Sequence, residues 1–341
     1  MNSHWEMGSS FHECDNLVLQ NCTRQDCTCE FSLYQSGRQA LLDVVLFLIK
    51  QEKLSKVYIP SYYCHDVTKL LEKYLQVAIY TSSPIEKIHI PYLEKSSAIV
   101  LVEYFGRKIN LANTDNYKDS VIIIDKTHNP FTQHHYKFKP DYVFGSLRKI
   151  LPFGEGGFLY PRLVYSNLSY LDNKAEIALS NLQNGMILKK QYLLEEKIDK
   201  SIFLKYFADF EEYLDHNTQI YPISDLTRNK LLSTDFYDLQ KSKNKNLVRL
   251  YQYFKDKDQL ELFENECYFS FFIEKDFWKE FQQRLIQAKV YPIVLWPDYH
   301  GNLNLINNKV LVSLHADFRY DYYDIDKLIK VLENIIYDFN N

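Results

Sequence analysis

The stretch VFGSLRKILPFGEGGFL (Val143 to Leu159) concentrates polar chemistry behind an apolar run: Ser146, Arg148 and Lys149, ringed by Gly145, Gly154, Gly156 and Gly157. Only nine glycines occur in 341 residues, against roughly 7% in average proteins. In so glycine-poor a chain, such a cluster points to backbone geometry or to close approach of a ligand. A second stretch, SGRQALL (Ser36 to Leu42), places Gly37 and Arg38 at the first turn of a helix. The free N–H groups and positive dipole end there suit an anion such as phosphate, and a plain capped helix is the alternative. No G-x-x-x-x-G-K-[ST] loop is present, and GEGG is not G-x-G-x-x-G. Asp125 closes the apolar run VIIID, where a buried carboxylate is costly unless paired.

These residues need elements to hold them. SGRQALLDVVLFLIKQ has apolar residues at helical spacing, with Ser36 placed to cap it. KVYIPS, VAIYTSS, SAIVLVEYF, DSVIIIDKT, DYVFGSL and GGFLYP read as strands, and HDVTKLLEKYL as a helix. Runs such as IVLV and VIIID lack alternation, as expected of strands buried on both faces of a parallel sheet. Helices alternating with strands predict an α/β layered fold. Such sheets bind ligands beyond the carboxyl ends of their strands, and PSYYCHD, EYFGRK, DKTHNP and GSLRK all fall there.

Helix-prone, charged sequence runs from about Ile187 to Phe254, and a second α/β block follows. The expected division is a large domain over 1–235 with an N-terminal extension, and a small C-terminal α/β domain over 236–341. The formal net charge of −4 and the lack of a basic patch give no support for nucleic-acid binding. No apolar run approaches a membrane span, and MNSHWEMGSS lacks a signal-peptide pattern, so a cytoplasmic location is the expectation. Cys14, Cys22, Cys27 and Cys29 follow C-x7-C-x4-C-x-C, which fits no common zinc pattern. No metal site is expected, and reduced thiols are. The many tyrosines are spread along the chain and read as core and interface residues.

The motifs SGRQAL, IPSYYC, VEYFGR, IIIDKTHNPF, FGSLRKILPFGEGGFL and VLVSLHADFRY, in this order, carry a resemblance. The chain resembles the fold-type I pyridoxal-phosphate enzymes and, within them, the DegT/DnrJ/EryC1/StrS sugar aminotransferases. EMGSSF (Glu6 to Phe11) resembles the opening of one branch, so the likeness covers nearly the whole chain.

The resemblance implies a large domain with a mostly parallel sheet between helices, a smaller C-terminal domain and pyridoxal 5'-phosphate as cofactor. It implies that Lys149 forms the Schiff base and moves the proton, that Asp125 holds the pyridinium nitrogen, and that His128 lies near the ring. Thr127 would sit under one ring face. The stacking position aligns with Cys64, with Tyr63 or His65 as alternatives. Ser146 and the amides of Gly37 and Arg38 would hold the phosphate, Arg38 adding a positive charge. Arg148 would pair with an acid such as Glu155 or face a partner subunit. Arg319 is a candidate for a carboxylate or phosphate, or else forms a surface salt bridge. The implied activity moves an amino group from an amino acid, expected to be glutamate, to a keto group on a nucleotide-linked sugar, in a homodimer. The alternatives are another reaction of the same fold, such as sugar dehydration, or a non-catalytic regulatory relative. Intact Lys149, Asp125 and Ser146 speak against the last.

Overall fold

A computed structural model describes residues 4–8, 10–14, 30–85, 88–111, 119–132, 134–163, 166–194, 197–257, 260–296 and 305–340. Cys22, Cys27 and Cys29 lie outside these residues. The chain forms two compact units, Phe11–Thr234 on one side and Met1–Ser10 with Asp235–Asn341 on the other. The sequence reading carried the large domain from residue 1. Strand β1 (Met7–Gly8) instead pairs with β11 (Val290–Tyr291), which ties the N-terminal residues to the C-terminal unit.

The unit Phe11–Thr234 is built on a seven-stranded sheet. Its elements are β2 (Ser32–Tyr34), α1 (Gly37–Lys50), β3 (Lys56–Pro60), α2 (His65–Glu72), β4 (Gln76–Tyr80), β5 (Ser97–Val102), β6 (Val121–Asp125), β7 (Tyr142–Ser146) and β8 (Gly157–Tyr160). Helices α3 (Asn173–Leu194), α4 (Lys200–His216) and α5 (Asp225–Ser233) follow. The strand order is β2-β8-β7-β6-β5-β3-β4. The five strands β4, β3, β5, β6 and β7 run parallel, and β8 pairs antiparallel with both β7 and β2. Every residue of β5 is buried, as its unbroken apolar run requires of a central strand. Tyr58, Tyr80, Ile99, Leu101, Ile122 and Ile124 pack into one core on this sheet.

The second unit holds α6 (Phe236–Lys255), β9 (Glu261–Leu262), β10 (Phe269–Glu274), α7 (Lys275–Gln287), β11, β12 (Lys309–Leu314) and α8 (Tyr322–Asn340). Its three-stranded antiparallel sheet has the order β12-β10-β9. Phe254, Phe269, Phe271, Leu285, Val312 and Leu332 form its core. Among the described residues no helix is long and apolar enough to cross a membrane.

Candidate active site

Strand β6 delivers Asp125 as its last residue, in register with Val102 of β5 and Phe144 of β7. The residue is 4% exposed. Its Oδ1 accepts the Thr127 amide at 2.7 Å, and its Oδ2 accepts the Tyr63 hydroxyl at 2.6 Å. Burial pushes this carboxyl above its ordinary value, and the hydrogen bonds from Thr127 and Tyr63 work against that rise. Among the described residues no cation pairs with Asp125. The adjacent Lys126 turns its ammonium to the Thr132 carbonyl and to Glu103.

Thr127 links two strand ends, because its Oγ1 accepts the Ser146 amide at 3.2 Å. Ser146 is the last residue of β7 and lies opposite Gly157 of β8. The start of α1 presses on this corner. A Cβ on Gly157 would stand 2.3 Å from the Ser36 carbonyl oxygen, and one on Gly37 would stand 3.0 Å from the Ser146 nitrogen. The contact at Gly157 leaves room for glycine alone, and that at Gly37 is tight, which accounts for part of the cluster in the sequence. Ser36 caps α1 by accepting the Gln39 amide. The first-turn amides of Gly37 and Arg38 have no acceptor within the helix, and Gly37 packs against Ser146. The Arg38 guanidinium is committed elsewhere, donating to the Leu214 carbonyl at 3.0 Å and to Asp215 at 2.9 Å. The guanidinium is thus fixed on α4, and its charge still acts on Lys149 and Glu211.

Lys149 occupies the turn after β7, which is closed by the Leu147 amide donating to the Gly156 carbonyl at 2.9 Å. Its side chain is crowded by protein yet reaches solvent. The Arg148 guanidinium beside it, then burial, bring its ammonium down to about 8, while Glu211 and Cys64 act in the opposite sense. Because the side chain meets water, the neighbouring charge is the stronger of the two causes. Arg148 forks onto Glu211 of α4, with contacts of 2.5 and 2.9 Å. Burial opposes the charge on Glu211, but Arg148, Lys149 and Arg38 together hold its carboxyl below the usual range. Glu155, the acid expected from the sequence as a partner for Arg148, is turned to the start of α5. It is buried and accepts both the amide and the hydroxyl of Ser224.

His128 is buried, and its Nδ1 accepts the Phe105 amide at 2.9 Å. A neutral ring therefore carries its proton on Nε2, and burial pushes the imidazole down to about 4. The amide is aimed by a short 3-10 turn (Tyr104–Gly106) in which Phe105 has φ 55. Phe105 and Tyr104 meet the imidazole edge-on at 5.1 and 6.2 Å. Cys64 is half-buried at the N-cap of α2, close enough to act on the charge of Lys149.

Most of the site residues expected from the sequence thus fall on one chain of contacts. Lys149 senses Cys64 and Arg38, Tyr63 bonds Asp125, Asp125 bonds Thr127, Thr127 bonds Ser146, and Ser146 abuts Gly37. Arg319 is different. In the second unit it forks onto Asp317 at 2.8 and 2.7 Å with its side chain 2% exposed, an internal ion pair in place of a surface one. Glu211 and the Phe105 amide had no sequence signal, since each acts through a fold-made contact between distant segments.

No protein-family model matches the chain, and no curated protein matches it. Solved structures do. Spr1654 from Streptococcus pneumoniae, assigned as a sugar aminotransferase, is similar over 98% of both chains in its apo form, at 12% identity and a TM-score of 0.61. The same protein is known in PLP and PMP forms. PseC from Helicobacter pylori, an aminotransferase involved in the biosynthesis of pseudoaminic acid, is similar over 98% of this chain and 100% of its own, at 11% identity and a TM-score of 0.57. The aminotransferase TlmJ from Streptoalloteichus hindustanus is similar over 92% of this chain and 87% of its own, at 12% identity and a TM-score of 0.56.

The fold is fold-type I. At these identities the likeness speaks for architecture, and the chemistry rests on the residues of this chain. They suit pyridoxal phosphate. A buried carboxylate without a cation partner among the described residues fits a protonated ring nitrogen, an amine held near 8 fits an aldehyde, and a helix start packed beside a serine fits a phosphate.

Proposed function

We propose that this protein is a pyridoxal-phosphate-dependent aminotransferase of the DegT/DnrJ/EryC1/StrS family, which moves an amino group from an amino acid to a keto group on a nucleotide-linked sugar. The observation that carries the reading is Asp125, a carboxylate 4% exposed, held by two donors and lacking a cation among the described residues. Such a group invites a cationic ring atom as its partner. The cofactor, when bound, supplies an aldehyde to carry the amino group and a ring to take up an electron pair.

The chain's own residues then have separate tasks. Lys149 would hold the cofactor through Nζ and, as a free amine, would move the proton at the donor's α-carbon. Its position near 8 leaves a useful share of neutral amine at physiological pH. Asp125 would keep the ring nitrogen positive. Thr127 would sit at the ring, and it fixes the end of β7 through Ser146. The amides of Gly37 and Arg38, with Ser146, would hold the phosphate. His128, neutral and fixed by Phe105, borders the ring without adding charge. Cys64 and Tyr63 line the same wall.

The sugar substrate is supported by the neighbours' assignments, and glutamate as donor by the resemblance. The test is to supply the purified protein with pyridoxal phosphate, glutamate and a panel of nucleotide-linked keto sugars, and to measure 2-oxoglutarate and aminated sugar. Both are expected in equal amounts. Glutamate turnover with no aminated sugar would move the reading to another reaction of the fold. Absence of cofactor binding would favour the regulatory alternative.

The working unit in this reading is a homodimer. Ile177, Ile187 and Leu194 on α3, Ile202 and Leu204 on α4, and Leu226 and Leu232 on α5 are exposed apolar side chains that a second copy would cover. Sedimentation across a wide concentration range should give the dimer. A monomer with full cofactor occupancy and turnover would exclude it.

A further inference from the structure

Strands lie about 4.8 Å apart in a sheet, so β3 and β6, separated by β5, stand roughly 10 Å from each other. Tyr63, three residues beyond the end of β3, spans that gap and sets its hydroxyl 2.6 Å from Asp125 Oδ2. A serine or threonine at 63 would fall short. The tyrosine is 3% exposed, and its hydroxyl is committed to the carboxylate at the strand end. The other carboxylate oxygen takes the Thr127 amide, and the Thr127 side chain favours the ionised carboxyl in the same sense as Tyr63. Tyr63 is the donor that reaches Asp125 from the far side of β5.

We propose that Tyr63 is a positioning residue for Asp125, whose hydroxyl keeps the buried carboxylate ionised and oriented before the cofactor arrives, in place of providing a stacking face. The role rests on the reading of Asp125 as the partner of the ring nitrogen. Three features give it content. Asp125 is buried, so the cost of an ionised carboxylate there is met by hydrogen bonds. No cation among the described residues shares the task. Tyr104, whose hydroxyl donates to the Tyr62 carbonyl, also lies in electrostatic range of Asp125. Charge-assisted hydrogen bonds of this kind are about twice as strong as neutral ones.

The experiment compares wild type with Tyr63→Phe, and with 3-fluorotyrosine placed at 63 to make the hydroxyl a stronger donor. The titration of Asp125 is followed by carboxyl NMR in protein freed of cofactor, and pyridoxal phosphate affinity is measured separately. Tyr63→Phe should raise the Asp125 titration and weaken cofactor binding by about tenfold or more at low pH. The loss should shrink as pH rises through the raised value and the carboxylate ionises again. Fluorotyrosine should lower the titration, a reversal of sign that a packing role would not produce. An Asp125 titration unchanged in both variants overturns the proposal. The measurement on cofactor-free protein stands whether or not the chain is an aminotransferase. If wild type fails to bind pyridoxal phosphate while both titration shifts appear, the functional reading is at fault, and the hydrogen-bond role is upheld.

Discussion

Lys149→Ala is expected to leave a folded protein that binds pyridoxal phosphate only reversibly, with amino transfer reduced by about three orders of magnitude or more. The expectation follows from the amine's surroundings. The Arg148 charge next door, with burial second, sets Lys149 near 8. At pH 7 roughly one amine in ten is then neutral, against about one in 2,500 for lysine at its usual 10.4. Borohydride should fix cofactor to the wild-type chain at Lys149 and to no residue of the variant. Covalent fixation that persists in Lys149→Ala would mean another lysine does the chemistry. The pH profile carries a further check. The lowered value makes neutral amine available as pH rises through about 8, so capture of the aldehyde should rise there. Glu211→Gln removes a negative charge that favours the ammonium, so its profile should move to lower pH. A profile moving the other way would show that Glu211 acts by some route other than charge.

The second large effect is expected from Asp125→Asn. The shape is nearly kept, but the negative charge is lost at the place where a positive ring nitrogen must be held. Removing a preorganised partner of charge that develops in the transition state costs roughly a hundredfold to a thousandfold, and the half-reaction with the amino donor should fall by at least that much. Asparagine presents one acceptor where the carboxylate gave two, so either the Thr127 amide or the Tyr63 hydroxyl loses its acceptor. A modest drop in melting temperature should therefore accompany the loss. The visible band of bound cofactor should also shift, since the ring nitrogen would no longer be kept protonated. A variant within about threefold of wild type, at matched cofactor occupancy, would remove Asp125 from its assigned place.

Much of this arrangement was legible in the residues. The unbroken apolar runs of β5 and β6 identify central parallel strands, and the polar residues just beyond them mark the edge where ligands sit. The glycines around Lys149 announce a crowded corner, which the contact of Gly157 with Ser36 explains. Contacts between segments remote in sequence were not legible. Nothing in SYYCHD tells which tyrosine reaches across β5. Nothing in FEEYLDH marks Glu211 and Asp215, one turn apart on α4, as the partners of Arg148 and Arg38. The two-residue strand β1 is too short to carry a period, and its pairing with Val290 and Tyr291 is decided by tertiary packing alone.

The strand order of the seven-stranded sheet also bears on how the protein comes into being. The β7–β8 hairpin joins neighbours in sequence and can close early. Strand β2 pairs with β8 across the whole segment that holds the parallel strands, and it brings the start of α1 with it. Pairings between strands so distant are slow to form, because loop closure must precede the contacts that reward it. The corner where Gly37 meets Ser146 is thus among the last parts to be assembled. A ligand that binds this corner stabilises the finished sheet and no earlier species, in proportion to the logarithm of its concentration over its dissociation constant. Chains with no ligand at this corner would spend longer with the β2 edge unsealed, open to proteases and to pairing with other chains.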